Sequence, residues 1–231
     1  MSTELVPEYQ IALEQKTFIT KVYGWMSLAL VVTSLVAMFT VSTPQLINAI
    51  MDSKFLFYAL LIGEVLLVIY LSAAIQKMSA GTATLVFLLY SAINGLTLSI
   101  IFVLFTSESI ASTFMITAVT FGAMSIYGYF TKRDLTTIGN LAFMALIGLI
   151  IASVVNIFWH NSTLYWITTY AGVLIFVALT AYDTQKIKKM SRSEEEGTEQ
   201  SKKMAIMGAL ALYLDFINLF LMLLRIFGKR R

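Results

Sequence analysis

The stretch ALALYLDFINLFLMLL, residues 209–224, sets an aspartate, Asp215, inside a run that otherwise reads as hydrocarbon. An ionised carboxylate at the centre of a bilayer costs about 2.5–3.5 kcal/mol on insertion scales, so the fold must tolerate this group or use it. The chain around the run decides what solvent it lies in. Its 231 residues are 58% hydrophobic and 13% charged, with a mean hydropathy of +0.82. A soluble domain carries roughly 45–50% apolar and about 25% charged residues. This is the composition of an integral membrane protein.

A spanning helix needs about 20 apolar residues, and the sequence predicts seven: Val22–Val41, Phe55–Ile75, Thr82–Leu104, Ile110–Phe130, Ile138–Phe158, Leu164–Tyr182 and Met204–Leu224. At about 1.5 Å per residue, Asp215 lies roughly 16 Å into the last of them, near the middle of a ~30 Å core. Short connections make neighbouring helices antiparallel. The exception is a charged linker at 183–203, read as solvated and cytoplasmic. The expected organisation is a cytoplasmic N-terminal arm at 1–21 and one seven-helix transmembrane domain at 22–231. The polar arm carries Glu4, Glu8 and Glu14 and shows no small-residue cleavage site, so the first helix is expected to stay as an anchor. Pro7 and Pro44 fall outside the spans, which leaves any kink to Gly63, Gly95, Gly122 or Gly172.

Basic residues orient the chain. Loops after helices two, four and six hold Lys77; Lys132 and Arg133; then Lys186, Lys188, Lys189, Arg192, Lys202 and Lys203, whereas the odd-numbered loops hold Lys54 alone. With Lys16 and Lys21 before the first span, the amino end is expected in the cytoplasm. The tail RIFGKRR, 225–231, opposes this pattern: seven full spans leave its charges outside, and a re-entrant last segment would bring them back. The length of the last run favours a full span.

Chemistry is restricted by what is missing. With no cysteine and one histidine, His160, thiolate and multi-histidine metal sites are excluded. The acids inside the spans are Glu64, Asp183 and Asp215. Taken singly, each has a plain structural explanation. Asp215 could be a protonated interhelical bond, Asp183 could pair with Lys186 one turn on, and Glu64 could meet a hydroxyl or amide. Asn218 shares a face with Asp215, and like Asn94 and Asn156 it reads first as an interhelical hydrogen bonder. Tyr182 and Tyr213 read as packing residues. Asp183 and Asp215 are more informative as a pair, on consecutive helices that can lie side by side. Two carboxyls in contact resist double ionisation and can share a proton, so their charge answers to pH. Deprotonated, they offer the hard oxygen ligands that calcium takes.

These residues also carry a family resemblance. ALALYLDFINLFLMLLRIFG, 209–228, resembles the signature last helix of the Bax inhibitor-1 (transmembrane Bax inhibitor motif) family. YDTQKIK, 182–188, is similar to the end of that family's sixth helix, and YSAINGLTLSIIF, 90–102, to its third. The likeness covers nearly the whole chain, and compact loops resemble those of bacterial members. It implies an all-α fold of seven transmembrane helices, with helices one to three and four to six as two layers around a central seventh. It implies a pH-responsive calcium leak in the bacterial inner membrane, with calcium as the transported ion, protons as the regulator, and no cofactor or nucleic acid. The family's aspartyl pair falls on Asp183 and Asp215, its helix-two acid on Glu64. The arginine that latches the pair in some bacterial relatives has no counterpart in SAAIQKMSAG, 72–81. Lys77, a point charge without the two-pronged guanidinium, is the substitute latch candidate.

Two enzyme or receptor readings fail on motifs. An intramembrane aspartyl protease also has a Tyr-Asp pair on its sixth helix, but Asp215 follows LYL where that class has Gly-x-Gly, and no Pro-Ala-Leu follows. Retinal binding needs a lysine that Met204–Leu224 lacks. A non-enzyme is expected. The remaining alternative is a regulatory membrane protein that acts through contacts with partners, such as the membrane-bound ATP-dependent protease to which some bacterial relatives are linked.

Overall fold

The computed structural model describes residues 8–191 and 197–231, with side chains from Glu14 onward. The elements are α1 (Glu8–Ser42), α2 (Pro44–Asp52), α3 (Lys54–Ala74), a 3-10 turn (Ile75–Lys77), α4 (Ala80–Leu104), α5 (Ser107–Phe130), α6 (Thr136–Trp159), α7 (Ser162–Met190) and α8 (Glu199–Phe227). Seven of the helices are long and apolar enough to cross a membrane. The chain is an all-α membrane protein.

Three features add to the sequence reading. The arm expected at 1–21 is helical from Glu8 on, as a direct extension of α1. The linker expected at 183–203 is mostly helix as well: α7 runs to Met190 and α8 starts at Glu199, so charged residues extend the apolar helices instead of ending them. Its acidic centre, 192–196, lies outside the described residues. Between the first two spans stands the short helix α2, whose first residue is Pro44, a residue whose fixed φ suits a helix start. Its Ile47 and Ile50, one turn apart, are the buried pair.

Polar residues end the helices. The Ser53 hydroxyl accepts from Leu56 N at 3.2 Å and caps α3; the Thr106 hydroxyl does the same for Ser109 N of α5 at 3.4 Å. The lone histidine has a terminating role. His160 takes the left-handed conformation (φ 48) and donates its backbone N–H to Asn156 O at 2.9 Å, closing α6.

The chain forms two compact units: one from Met1–Ile100 and Ile187–Leu210, the other from Ile101–Lys186 and Ala211–Arg231. In the first unit, Gly95 of α4 lets α1 approach; a Cβ there would lie 2.6 Å from Thr33 O. The Thr33 hydroxyl lies 2.9 Å from Ser91 O across the same contact. In the second, Gly172 of α7 faces Met222 of α8, 2.9 Å from where its Cβ would be. Gly95 and Gly172 serve close packing, while a Cβ at Gly63 or Gly122 would meet only open space.

Burial is uneven. In α8, 72% of the most apolar window is buried, against 11% in each of α3 and α6. Residues such as Phe55, Ile62, Leu141 and Met144 instead leave large apolar side chains exposed, as a lipid-facing surface requires. The last helix is thus the inner one, the place that the family resemblance gives it. Its tail pairs with the α4–α5 turn: Thr106 N donates to Lys229 O at 2.9 Å and Arg231 N to Leu104 O at 3.1 Å. At its start, Lys203 Nζ donates to Gln76 O, in the turn after the second span, at 3.2 Å. α8 begins beside the turn that follows span two and ends beside the turn that follows span three. With 29 residues it is long and apolar enough for the full span that the length of the run favours.

Candidate functional site

Asp215 and Asp183 belong to the same unit. Asp215 is 3% exposed, between fully buried Tyr213 and Leu219 on α8. Asp183 is half-buried near the end of α7. The two carboxyls are near enough for the charge of Asp183 to bear on Asp215, while the ammonium of Lys186, one turn along α7, bears on Asp183. Chain order alone did not fix this proximity.

Asp215 Oδ2 is fully buried and has no hydrogen-bonding partner among the described residues, a condition it shares with Thr113 Oγ1 and Ser125 Oγ of α5. Those hydroxyls lie on a buried four-residue repeat of Ser109, Thr113, Thr117, Phe121 and Ser125, the row that one face of a helix presents. α5 meets α8 beside Asp215, where Phe216 packs edge-on against Phe114 (5.3 Å between centroids) and Phe121 (5.4 Å). Thr113 and Ser125 escaped the sequence reading, which weighed no serine or threonine. Their signal was the four-residue hydroxyl spacing.

Close contacts hold the α7 segment that carries Asp183. Gly139 of α6 faces the ring of Tyr182, and Gly128 of α5 faces the backbone of Ala181; a Cβ at either would overlap its neighbour. Two residues past Asp183, the buried Gln185 receives Leu135 N on Oε1 at 2.9 Å and donates from Nε2 to Arg133 O at 2.8 Å. Gln185 ties α7 to the α5–α6 turn on both sides of its amide. The flanks of Asp183 are thus held by shape and by one amide.

The third acid is housed otherwise. Glu64 is 9% exposed on a helix that is otherwise mostly lipid-facing. Its Oε1 accepts from the Thr97 hydroxyl at 2.6 Å and its Oε2 from Asn94 Nδ2 at 3.1 Å, both on α4. These bonds join α3 to α4 and satisfy both carboxyl oxygens. Asn94 is the interhelical bonder expected of it. Asn218 and Asn156 are not: Asn218 Nδ2 donates to Leu214 O of its own helix at 2.8 Å, and Asn156 Oδ1 accepts from Asn161 N at 2.8 Å in the adjoining turn. Lys77 stands exposed at the end of the 3-10 turn. Among the described residues, no three His, Cys, Asp or Glu side chains gather as metal ligands. The aspartyl pair therefore offers a cation two carboxyls, short of the six to eight oxygens of a typical resident calcium site.

Seven spans with a buried and a half-buried acid on the last two define a class of polytopic membrane protein, and comparison gives it a family. The family model described as "Inhibitor of apoptosis-promoting Bax1" matches residues 15–231. The chain is 52% identical over 217 residues, 94% of its length and 93% of the relative's, to "Inner membrane protein YbhL" of Escherichia coli. It is 47% identical over 229 residues to an uncharacterised Borreliella burgdorferi protein, covering 99% of this chain and 98% of the other. A Rickettsia prowazekii protein is 41% identical over 219 residues, covering 94% and 91%. The protein belongs to the Bax inhibitor-1 family.

Proposed function

We propose that this protein is a pH-sensitive calcium leak of the inner membrane, gated by Asp183 and Asp215, with its N terminus in the cytoplasm. The observation that carries the reading is the fully buried Asp215 Oδ2, without a partner among the described residues and within electrostatic reach of a second carboxyl. A buried polar group left unpaired costs about 1–3 kcal/mol, more when charged. A proton or a passing cation removes that cost. With a proton on the pair, one carboxyl becomes a donor and the repulsion between two anions is gone. Without it, two carboxylates face each other and attract a divalent cation, which serves as the transported substrate. Calcium and protons compete for the same oxygens, so calcium occupancy rises with pH. The inner-membrane assignment is carried over from the name of the E. coli relative, and the orientation from the basic loops.

The test is calcium flux into liposomes holding the purified full chain, at mildly acidic and mildly alkaline pH, beside Asp183→Asn and Asp215→Asn. The expected result is a wild-type flux that changes with pH and a flat profile in either variant. Stabilisation of the wild type by calcium should grow as pH rises and be absent in Asp215→Asn. Flux that is absent, or indifferent to pH and to both substitutions, would sink the channel reading and favour action through a membrane-bound protease partner.

A further inference from the structure

The buried side-chain polar atoms that find no partner among the described residues are Thr113 Oγ1, Ser125 Oγ and Asp215 Oδ2, and all three lie on α5 and α8 of the second unit. We propose that the seam between these two helices holds water, and that Ser125 supplies a third oxygen to the cation taken by Asp183 and Asp215. The proposal rests on the cation reading above and adds to it a ligand and a path of access.

Both hydroxyls forgo a bond that their helix offers. A serine or threonine inside a helix can donate to the carbonyl four residues back. The buried Thr33, Thr40, Ser91, Thr117, Thr169 and Thr180 all do so, at 2.7–2.9 Å. Thr113 and Ser125 make no such bond, although both lie well inside α5. A buried hydroxyl in that condition is destabilising unless something else meets it. Water does so where it finds about two to four polar partners, and here a carboxyl oxygen in the same condition stands on the facing helix.

The packing of α5 sets the level of Ser125. Phe121, one turn before it, packs edge-on against Phe216, the residue after Asp215, with 5.4 Å between centroids. Gly128, nearly one turn after it, lies against the backbone of Ala181, two residues before Asp183. Ser125 therefore stands between the contact that adjoins Asp215 and the contact that adjoins Asp183. Two carboxyls alone leave a calcium ion short of oxygens. A hydroxyl with its bound water extends the set without adding a third negative charge. Thr113, on the same buried row, lies about three turns nearer the α4–α5 turn, and it marks the direction from which water reaches the pair.

The chain has no cysteine, so S125C and T113C each introduce a single thiol. The reconstituted full chain is treated with a small water-soluble methanethiosulfonate, and modification is read by intact mass. The thiolate is the reacting form, so a dry site stays inert. S125C and T113C should react, more slowly than K132C at an exposed position, whereas L212C, at a fully buried apolar position of α8, should not. The calcium concentration that stabilises the wild type against heat should rise about tenfold in Ser125→Ala, which loses an oxygen that meets a charge. Ser125→Thr keeps that oxygen and should keep the wild-type value. Without calcium, Ser125→Ala should melt no lower than wild type, since it deletes an unpartnered hydroxyl; a serine of purely structural use would lower the melting temperature. S125C as inert as L212C overturns the hydrated seam, and an unchanged calcium response in Ser125→Ala overturns the ligand role. If S125C reacts while the wild type ignores calcium, the calcium reading falls and the seam stands; if S125C is inert while calcium flows, the seam falls and the leak stands.

Discussion

Each compact unit buries an acid on a membrane helix, and the two housings are opposites. Glu64, in the first unit, has a donor on each carboxyl oxygen, from Thr97 and Asn94. Asp215, in the second, has a buried oxygen with none among the described residues, near a second acid. Around Glu64 side-chain bonds do the holding, and they leave nothing for a ligand to add. Around the aspartyl pair, glycine contacts and Gln185 hold the backbone, and the carboxyl stays unsatisfied. A satisfied acid links helices; an unsatisfied one, held in place by its surroundings, is equipped to take up and give back a proton or a cation.

The largest effect should come from breaking the shape-based housing. Gly139→Ala places a methyl group into the ring of Tyr182, which must shift to admit it. Overpacking of this kind costs about 1–3 kcal/mol, and we expect the upper end, read as a lowered melting temperature in detergent. Because the displaced segment carries Asp183, the pH response of calcium flux should weaken too. A variant as stable as wild type would show that α7 is not clamped there.

A pair of apolar substitutions then sets the two acids against each other. Glu64→Met removes the acceptor for Asn94 Nδ2 and for Thr97, and should destabilise by about 1–2 kcal/mol, since a buried donor losing its partner bears the desolvation penalty. Asp215→Leu removes an unpartnered buried oxygen and a neighbouring like charge. It should raise stability by about 1–2 kcal/mol while abolishing the pH response. Opposite signs in thermal melting sharpen the contrast. A loss of stability in Asp215→Leu would mean that this carboxyl, too, is structural glue.

How much of this was legible in the sequence follows from the physics of each feature. Hydrophobic runs long enough to span a bilayer mark helices strongly, and the predicted Phe55–Ile75 and Ile138–Phe158 lie within two residues of the observed α3 and α6. The ends of α7 and α8 were less legible because charged helix and charged loop share a composition: KIKKM at 186–190 continues α7. Asp215 stood out as a carboxylate among apolar residues, whereas its proximity to Asp183 depends on how α7 and α8 pack, which no local pattern encodes. The clamps at Gly128, Gly139 and Gln185 were invisible for the same reason, each acting on a residue about 40 to 55 positions away.

The smallest and most discriminating effect concerns hydroxyls, where the same change should differ in sign. Thr97 and Thr113 are both buried threonines on spanning helices, but Thr97 donates to Glu64 at 2.6 Å while Thr113 Oγ1 has no partner among the described residues. Valine preserves the branched shape and removes only the hydroxyl. Thr97→Val leaves Glu64 Oε1 without its donor and should cost about 1 kcal/mol or more. Thr113→Val deletes an unsatisfied group and should be neutral or stabilising by about 1 kcal/mol. If the α5 row is wetted when the pair ionises, Thr113→Val should also reduce calcium flux at constant stability, and Thr97→Val should not. Two variants equal in melting temperature and in flux would remove the distinction between the two units and leave the unpartnered oxygens without consequence.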